Sequence, residues 1–409
     1  MTGTPPDPGQ VRLEDYVPIV GTEQVADLKA LAARLGGRTV QMINSAAVGG
    51  GVAEILGRLV PLLQELGVQV RWDVMTGGND FFGVTKTFHN ALHGAPYARR
   101  AQDLDVFLAC SESNRRRLAF DADFTVVHDL QPVALVGART GLANRWIWRC
   151  HIDLSAPNPQ VWEFLRPFVC CYDCALFSSP SFARQLPIPQ YLFFPCIDPL
   201  SQKNRDLPRE TVRAVLDRFG IDAGRPLLTQ ISRFDRLKDP LGVLGAYRIV
   251  RRYAPCQLVL AGGGADDDPE GAEVLAEVRD AAEGDPDVHV LDLPPSSALE
   301  INALQRASTV VIQKSLREGF GLTVAEALWK KRPVVASAVG GIPAQVIHKH
   351  TGLLAHSIEG TAYQVRFLLS HPAIAQKIGE QGYEHVREHF LMTNNVRRYL
   401  TLFLHSLGG

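Results

Sequence analysis

The sequence predicts an α/β fold made of two doubly wound parallel-sheet domains, and three observations carry that prediction. Short apolar runs rich in Val, Ile and Leu alternate with longer stretches of helical period, the pattern of parallel sheets covered by helices. The pattern stops at a loop containing Pro195, Asp198, Pro199 and Pro208, and then starts again. A length of 409 residues with 46% apolar and 21% charged residues gives enough material for two cores.

In the first half, Thr39–Ile43 fits a strand, followed by the glycine loop Gly49-Gly50-Gly51. A helix from about Val52 to Leu66 then lines up Ile55, Leu56, Leu59, Leu62, Leu63 and Leu66 on one face, and Gly67 ends it. Further strands fit Val68–Met75, Thr125–His128, Trp146–Cys150, Ala175–Ser178 and Tyr191–Phe194, with a clear helix over Pro159–Val169. In the second half, strands fit Leu227–Ile231, Gln257–Ala261, Val288–Leu291, Thr309–Gln313 and Pro333–Ser337. Helices fit Pro240–Tyr253, Ala272–Ala282, Ser297–Ala307 and Leu322–Lys330. The expected division is 1–195, 196–390 and a terminal segment 391–409 whose helix, about Thr393–Leu407, packs back on the first domain. In such an arrangement ligands are expected at the carboxyl ends of the strands, in a cleft between the domains.

Composition narrows the function. Lys plus Arg number 42 against 43 Asp plus Glu, and residues 1–195 carry 17 against 18, so neither half has the positive excess of a nucleic-acid binder. No apolar run approaches the roughly 20 residues that span a bilayer. The start, MTGTPPDPGQ, has no apolar stretch of a secretory signal, so a cytoplasmic protein is expected. Seven cysteines do not make a disulfide framework, and the Cys170, Cys171, Cys174 cluster has no second C-x-x-C to complete a zinc site. Buried free thiols are the expectation there. Asp266-Asp267-Asp268 and Arg115-Arg116-Arg117 are expected to be solvated charge, and no metal site is expected.

The strongest chemical signal is Ser315-Leu316-Arg317-Glu318-Gly319-Phe320-Gly321-Leu322-Thr323-Val324-Ala325-Glu326-Ala327, placed where a strand ends and a helix begins. Unpaired backbone N–H groups at such a helix start suit anionic or hydroxyl ligands. Glu318 and Glu326, eight positions apart, can accept hydrogen bonds from vicinal hydroxyls of the kind that a sugar and a ribose offer. The bland alternative is a first-turn acid favoured by the helix dipole plus a solvated second acid. Arg233 and Lys238, following the first strand of the second half, could hold a phosphate-bearing group or be surface charges.

The Glu-x7-Glu string resembles that of retaining GT-B glycosyltransferases, whose fold sets two Rossmann-like domains facing across a cleft. Ile231-Ser232-Arg233-Phe234-Asp235-Arg236-Leu237-Lys238 resembles the same group's R-x4-K segment, and Gly50 and Gly51 its first-domain glycine loop. Val40-Gln41-Met42-Ile43-Asn44-Ser45, His128-Asp129-Leu130-Gln131-Pro132 and Trp148-Arg149-Cys150-His151-Ile152-Asp153-Leu154-Ser155 are similar to trehalose glycosyltransferring synthases, over nearly the whole chain. The resemblance implies transfer of glucose from an NDP-glucose to the anomeric hydroxyl of glucose with retention, giving trehalose without a covalent intermediate. It implies Arg233 and Lys238 on the diphosphate, Glu318 on sugar hydroxyls, Glu326 on the ribose, and the backbone of Gly319, Phe320, Gly321, Leu322 and Thr323 on hexose and phosphates. His151 would touch the transferred glucose, with Asp129, Asp153 and Asn44 as acceptor-side candidates. Expected partners are NDP-glucose (UDP-, ADP- or GDP-), glucose and trehalose, with Mg2+ as an optional companion of the diphosphate and a homodimer unsurprising. A retaining trehalose phosphorylase and a non-catalytic sugar-nucleotide-binding protein are the alternative expectations.

Overall fold

A computed structural model describes residues 11–48, 50–139, 141, 143–263 and 269–408, so MTGTPPDPGQ, Gly49 and Asp266–Asp268 lie outside the described residues. It divides the chain into two units, one of residues 1–196 with 392–409 and one of residues 197–391.

The first unit has helices α1 (Val17–Val20), α2 (Thr22–Ala33), α3 (Gly50–Glu65), α4 (Asn79–Leu92), α5 (Ala101–Arg117) and α6 (Pro159–Val169). Its strands are β1 (Thr39–Asn44), β2 (Gln69–Val74), β3 (Phe124–His128), β4 (Arg145–Arg149), β5 (Cys174–Phe177) and β6 (Gln190–Leu192). All pair in parallel, in the order β2-β1-β3-β4-β5-β6. Strands β3, β4 and β5 are almost wholly buried, which is why they read as continuous apolar runs in the sequence. Phe88, Phe107, Trp146, Trp148, Phe177 and Phe182 form the bulk of one core layer. Helix α3 starts two residues earlier than expected, at Gly50, whose φ of +79° only glycine adopts without strain.

The second unit repeats the scheme with β7 (Leu227–Ile231), β8 (Gln257–Gly262), β9 (Val288–Asp292), β10 (Val310–Gln313), β11 (Val334–Ser337) and β12 (Leu353–Ala355). The order is β12-β11-β10-β7-β8-β9, again parallel throughout. Its helices are α7 (Arg209–Arg218), α8 (Pro240–Val250), α9 (Pro269–Ala282), α10 (Ala298–Ala307), α11 (Leu322–Trp329), α12 (Ile342–Gln345), α13 (Ile358–Ser370) and α14 (Pro372–His389). Helix α8 ends three residues short of expectation. Pro255 lies just beyond, and the chain leaves the helix through a Tyr253 N–H to Val250 carbonyl turn at 2.9 Å. The last helix, α15 (Met392–Leu407), packs against α2 and α3 of the first unit. Gln24 donates to Asn394 Oδ1 at 2.9 Å, and Phe403 lies with its ring 4.7 Å from that of Phe124.

Each sheet has a switch point, where the chain finishes one flank and returns to build the other. In the first unit it falls between β1 and β3, and in the second between β7 and β10. At these places the loops leaving adjacent strand ends diverge and open a crevice, so ligand-binding groups accumulate there.

The loops at the second switch point are packed too closely for side chains. A Cβ on Gly340, where φ is +55°, would lie 1.6 Å from the Glu318 carbonyl oxygen, and one on Gly262 would lie 1.8 Å from that of Ser232. Gly284 also has a left-handed φ, +77°, but nothing lies within 4 Å of its Cβ position. Both residues belong to the second unit, so they separate strain from clash. Gly284→Ala should cost about 1 kcal/mol, the left-handed penalty alone. Gly340→Ala should cost roughly 3 kcal/mol or more, because the Glu318 backbone must also move. Urea unfolding of the two variants, followed on the second unit's transition, checks the difference; equal midpoints would contradict the close approach.

Candidate active site

In the second unit the chain leaves β7 through Ser232–Asp239. Asp235 caps the turn over Arg236–Lys238 by accepting from the Leu237 N–H at 2.7 Å. Asp239, left-handed at φ +49°, then caps α8 by accepting from the Gly242 N–H at 3.0 Å. These two caps fix where Arg233 and Lys238 sit. Gln230, on β7 itself, donates to the Lys238 carbonyl at 2.8 Å and ties the loop back to its strand. The loop after β10 is joined to it by the Leu316 N–H, which donates to the Leu237 carbonyl at 2.7 Å.

The structure brings Lys238 and Glu318 into contact. Lys238 Nζ lies 2.5 Å from Glu318 Oε2, and both side chains are largely buried. Ser315 Oγ donates to the same oxygen at 3.1 Å and receives from Gln313 Nε2 at 2.9 Å. The sequence suggests separate tasks for these residues; the fold makes them one ion pair, stiffened by a hydroxyl. An ammonium has three protons, so Lys238 keeps two for an anionic ligand while it holds Glu318. Arg233 is half-exposed and donates to Asp235 Oδ2 at 3.3 Å.

Glu326 is not solvated. It is 1% exposed, in the second turn of α11, and Oε2 accepts from Gln305 Nε2 at 3.2 Å. Lys203 Nζ approaches Oε1 at 3.6 Å, and the buried Lys330 donates to Gln305 Oε1 at 2.8 Å and Asn204 Oδ1 at 2.9 Å. One ammonium thus lies against a carboxylate that would be costly to bury alone, and a second reaches it through Gln305. Gly321 sits at φ +82° as the N-cap of α11, and Thr323 Oγ1 donates to Gln313 Oε1 at 3.1 Å, so this hydroxyl is engaged within the loop. Gln345 Nε2 donates to the Phe320 carbonyl at 2.5 Å, Phe320 packs edge-on to Phe390 at 5.4 Å, and Gly319 and Leu322 complete the turn. The sequence reading missed Gly340, Gly341, Lys203 and Gln345. The only trace of the first two is the Val339-Gly340-Gly341-Ile342-Pro343 string after a strand.

In the first unit the groups cluster at the ends of β1, β3 and β4. Asp129 is left-handed at φ +65°; its N–H donates to the Arg149 carbonyl at 2.8 Å, and its Oδ1 accepts from the His151 N–H at 2.6 Å. Burial pushes its carboxyl up to about 6, against the pull of the His151 N–H and the Arg149 charge. His128 Nδ1 and His151 Nε2 are 3.1 Å apart, with ring planes 15° from parallel. Burial, reinforced by the Arg149 charge, lowers His128 to about 3 and holds His151 well below the usual imidazole range. Both rings are therefore neutral at physiological pH.

Asp153 is buried, and its Oδ1 accepts from the Ser155 N–H at 2.8 Å. Asn44 has both ends of its amide committed, accepting from Trp72 Nε1 at 2.8 Å and donating to the Ala46 carbonyl at 2.6 Å. These contacts shape the loops, and Asn44 has less to offer a ligand than the sequence suggests. Gly50 and Gly51 open α3 beside it. Among the described residues no group of three or more His, Cys, Asp or Glu side chains gathers as a metal site. No described helix is long and apolar enough to cross a membrane. All seven cysteines are free, although Cys171 is exposed and not buried as expected. Of the arginine run, Arg115 and Arg116 pair with Glu112, whereas Arg117 donates to the Val74 carbonyl and is partly a packing residue.

Comparison with known proteins agrees with this geometry. Residues 42–184 match the family model for the trehalose synthase N-terminal domain, and residues 213–385 that for group 1 glycosyl transferases. The chain is 42% identical to a trehalose synthase of Pyrococcus horikoshii, covering 98% of each, and 44% identical to one of Rubrobacter xylanophilus, covering 98% of this chain and 99% of that one. A trehalose phosphorylase of Pleurotus pulmonarius is 27% identical, and the match covers 95% of this chain but 60% of the relative. The fold is shared with an α,α-trehalose 6-phosphate synthase of Burkholderia multivorans, at a TM-score of 0.72 and 19% identity over 91% of this chain and 99% of that one. Two parallel Rossmann-like sheets of GT-B type, with this degree of likeness along the whole chain, make it a member of the trehalose synthase family of group 1 glycosyltransferases.

Proposed function

We propose that the protein transfers glucose from a nucleoside-diphosphate glucose to the anomeric hydroxyl of free glucose, forming α,α-trehalose with retention of configuration. The observation that carries this reading is the Lys238–Glu318 ion pair at the β7/β10 switch point, with Arg233 on the same loop. Lys238 and Arg233 hold the diphosphate, whose negative charge grows as the C1–O bond to phosphate breaks. Glu318 accepts from hexose hydroxyls, and Glu326 from the ribose. The backbone of Gly319–Thr323 lines the hexose and phosphates. His151 and Asp129 in the first unit recognise sugar. The acceptor hydroxyl attacks C1 on the face from which the diphosphate departs, and its proton passes to the departing phosphate oxygen. No enzyme nucleophile is consumed. The protein supplies position and charge.

The phosphorylase alternative is weakened by the 27% identity and partial coverage of that relative, set beside 42–44% over full length for the synthases. The nucleotide and any Mg2+ carried on the diphosphate are open to assay. Incubation with glucose and UDP-, ADP- or GDP-glucose in separate tubes should yield trehalose and the matching diphosphate. Trehalose only from α-glucose 1-phosphate would establish the phosphorylase instead.

Two substitutions separate the roles. Lys238→Ala should lower kcat by roughly 100-fold or more with a smaller change in KM, because its charge matters most as the leaving group ionises. Glu326→Gln, which preserves the buried packing around Gln305, should raise the donor KM about tenfold with kcat nearly intact, a ribose hydrogen bond being lost equally from ground and transition states. Steady-state kinetics with the preferred donor checks both; a pure KM effect at Lys238 would contradict its assignment.

A further inference from the structure

His128 and Arg149 end adjacent parallel strands and lie directly opposite each other in the β3–β4 register, so their side chains leave the same face of the sheet. Both are almost wholly buried. Each carries one nitrogen with no protein partner, His128 Nε2 and Arg149 Nη1, while Arg149 Nη2 donates to Ser178 Oγ at 3.3 Å. His128 Nδ1 faces His151 Nε2 at 3.1 Å. One of these two nitrogens carries the shared proton, and the surroundings decide which. If His151 donated, His128 would carry its own ring proton on Nε2, buried, unpaired and in the field of the Arg149 guanidinium. Orphaned buried N–H groups are rarer than under-satisfied acceptors. If His128 donates from Nδ1, its Nε2 is a lone pair in the field of the Arg149 charge, a favourable arrangement.

We propose that His128 is a positioning residue that locks His151 in the Nδ1–H tautomer, so that His151 meets its ligand as a hydrogen-bond donor to a sugar oxygen. The hydrogen bond made by one ring nitrogen fixes the protonation of the other. Free histidine favours the Nε2–H form; here Nε2 is the acceptor from His128, and the proton moves to Nδ1. The doubly protonated state does not intervene, since burial and the Arg149 charge disfavour it for both rings. Asp129, by accepting from the His151 N–H at 2.6 Å, holds the backbone so that the two rings stay nearly parallel. A sugar hydroxyl that accepts from His151 keeps its own proton for another acceptor.

The consequence for activity rests on the glycosyl-transfer reading, but the tautomer does not. Long-range 1H–15N correlation spectra of histidine-labelled protein, with His151 assigned by its loss in His151→Ala, read the tautomer without substrate. The expected result is an Nδ1-protonated His151 in the wild type that reverts to Nε2–H in His128→Phe. An Nε2–H His151 in the wild type would overturn the proposal whatever the variants do. In the transfer assay His128→Phe should lower kcat roughly tenfold or more, one hydrogen bond's worth. His128→Asn, whose amide can donate from the Nδ1 position, should recover part of it. A His128→Phe enzyme with wild-type kcat and an unchanged His151 tautomer would also refute it.

Discussion

The Glu318 carbonyl oxygen occupies the space that a side chain on residue 340 would need, and the Gly319 carbonyl lies 2.6 Å from the Cβ position of Gly341. Two glycines beyond β11 therefore let a neighbouring loop press against the segment that carries Glu318. With Gln345 fastening the Phe320 carbonyl and Leu316 fastening the β7 loop, that segment is held along its length. Glu318 can then meet Lys238 at one fixed point, and α11 can start at Leu322, after its left-handed N-cap Gly321. A reactive constellation held on such packing does not have to be assembled at each turnover.

The two units handle charge in opposite ways. In the second, the buried ions around the site have an ion or amide beside them: Lys238 with Glu318, Lys314 with Asp239, and Lys203 and Lys330 around Glu326. In the first, Arg149 is buried with a serine hydroxyl, the face of Phe193 at 6.0 Å and the more distant field of Asp129. Such a cation is expensive. It raises the cost of protonating either histidine and offsets part of the cost of ionising Asp129. Burial keeps His128 and His151 neutral, and the same arginine reinforces it while helping Asp129 remain an acceptor.

Much of this was legible in the sequence, for an identifiable reason. Strands buried on both faces are continuous apolar runs, so β3, β7, β8 and β10 could be found within about a residue. Glu318 and Glu326 stood out because their spacing spans a strand end and a helix start, and Arg233 and Lys238 through the resemblance of their R-x4-K segment. What escaped notice depends on distance in the chain. Lys203 is 123 positions from Glu326, and Gly340 is 22 from Glu318; nothing local marks either as a neighbour. His128 was visible only as the first residue of a motif, because a ring-to-ring hydrogen bond follows from strand register. Asn44 looked like a ligand-facing polar residue, but Trp72, directly across from Met42 in the β1–β2 ladder, claims its amide oxygen.

The same-face displacement that we propose places an unusual demand on a protein. With no nucleophile to present, catalysis rests on donors and acceptors already oriented before the bond breaks. The groups named here satisfy each other in just that manner. Glu318 is held by an ammonium and a hydroxyl, His151 by a ring nitrogen and a carboxylate, and Asp129 by two backbone groups. Each retains at least one proton or lone pair, and that remainder is what it can offer a sugar or a phosphate. A ligand entering such a site finds side chains whose rotamer entropy has already been lost on folding, so little of its binding energy goes to ordering them. The left-handed backbone at Asp129 and Asp239 is part of the same arrangement, since Asp129 after β3 and Asp239 at the start of α8 each turn the chain sharply and use the carboxylate to hold the turn. Strain at those two residues is thus the local cost of keeping His151 and Lys238 in place.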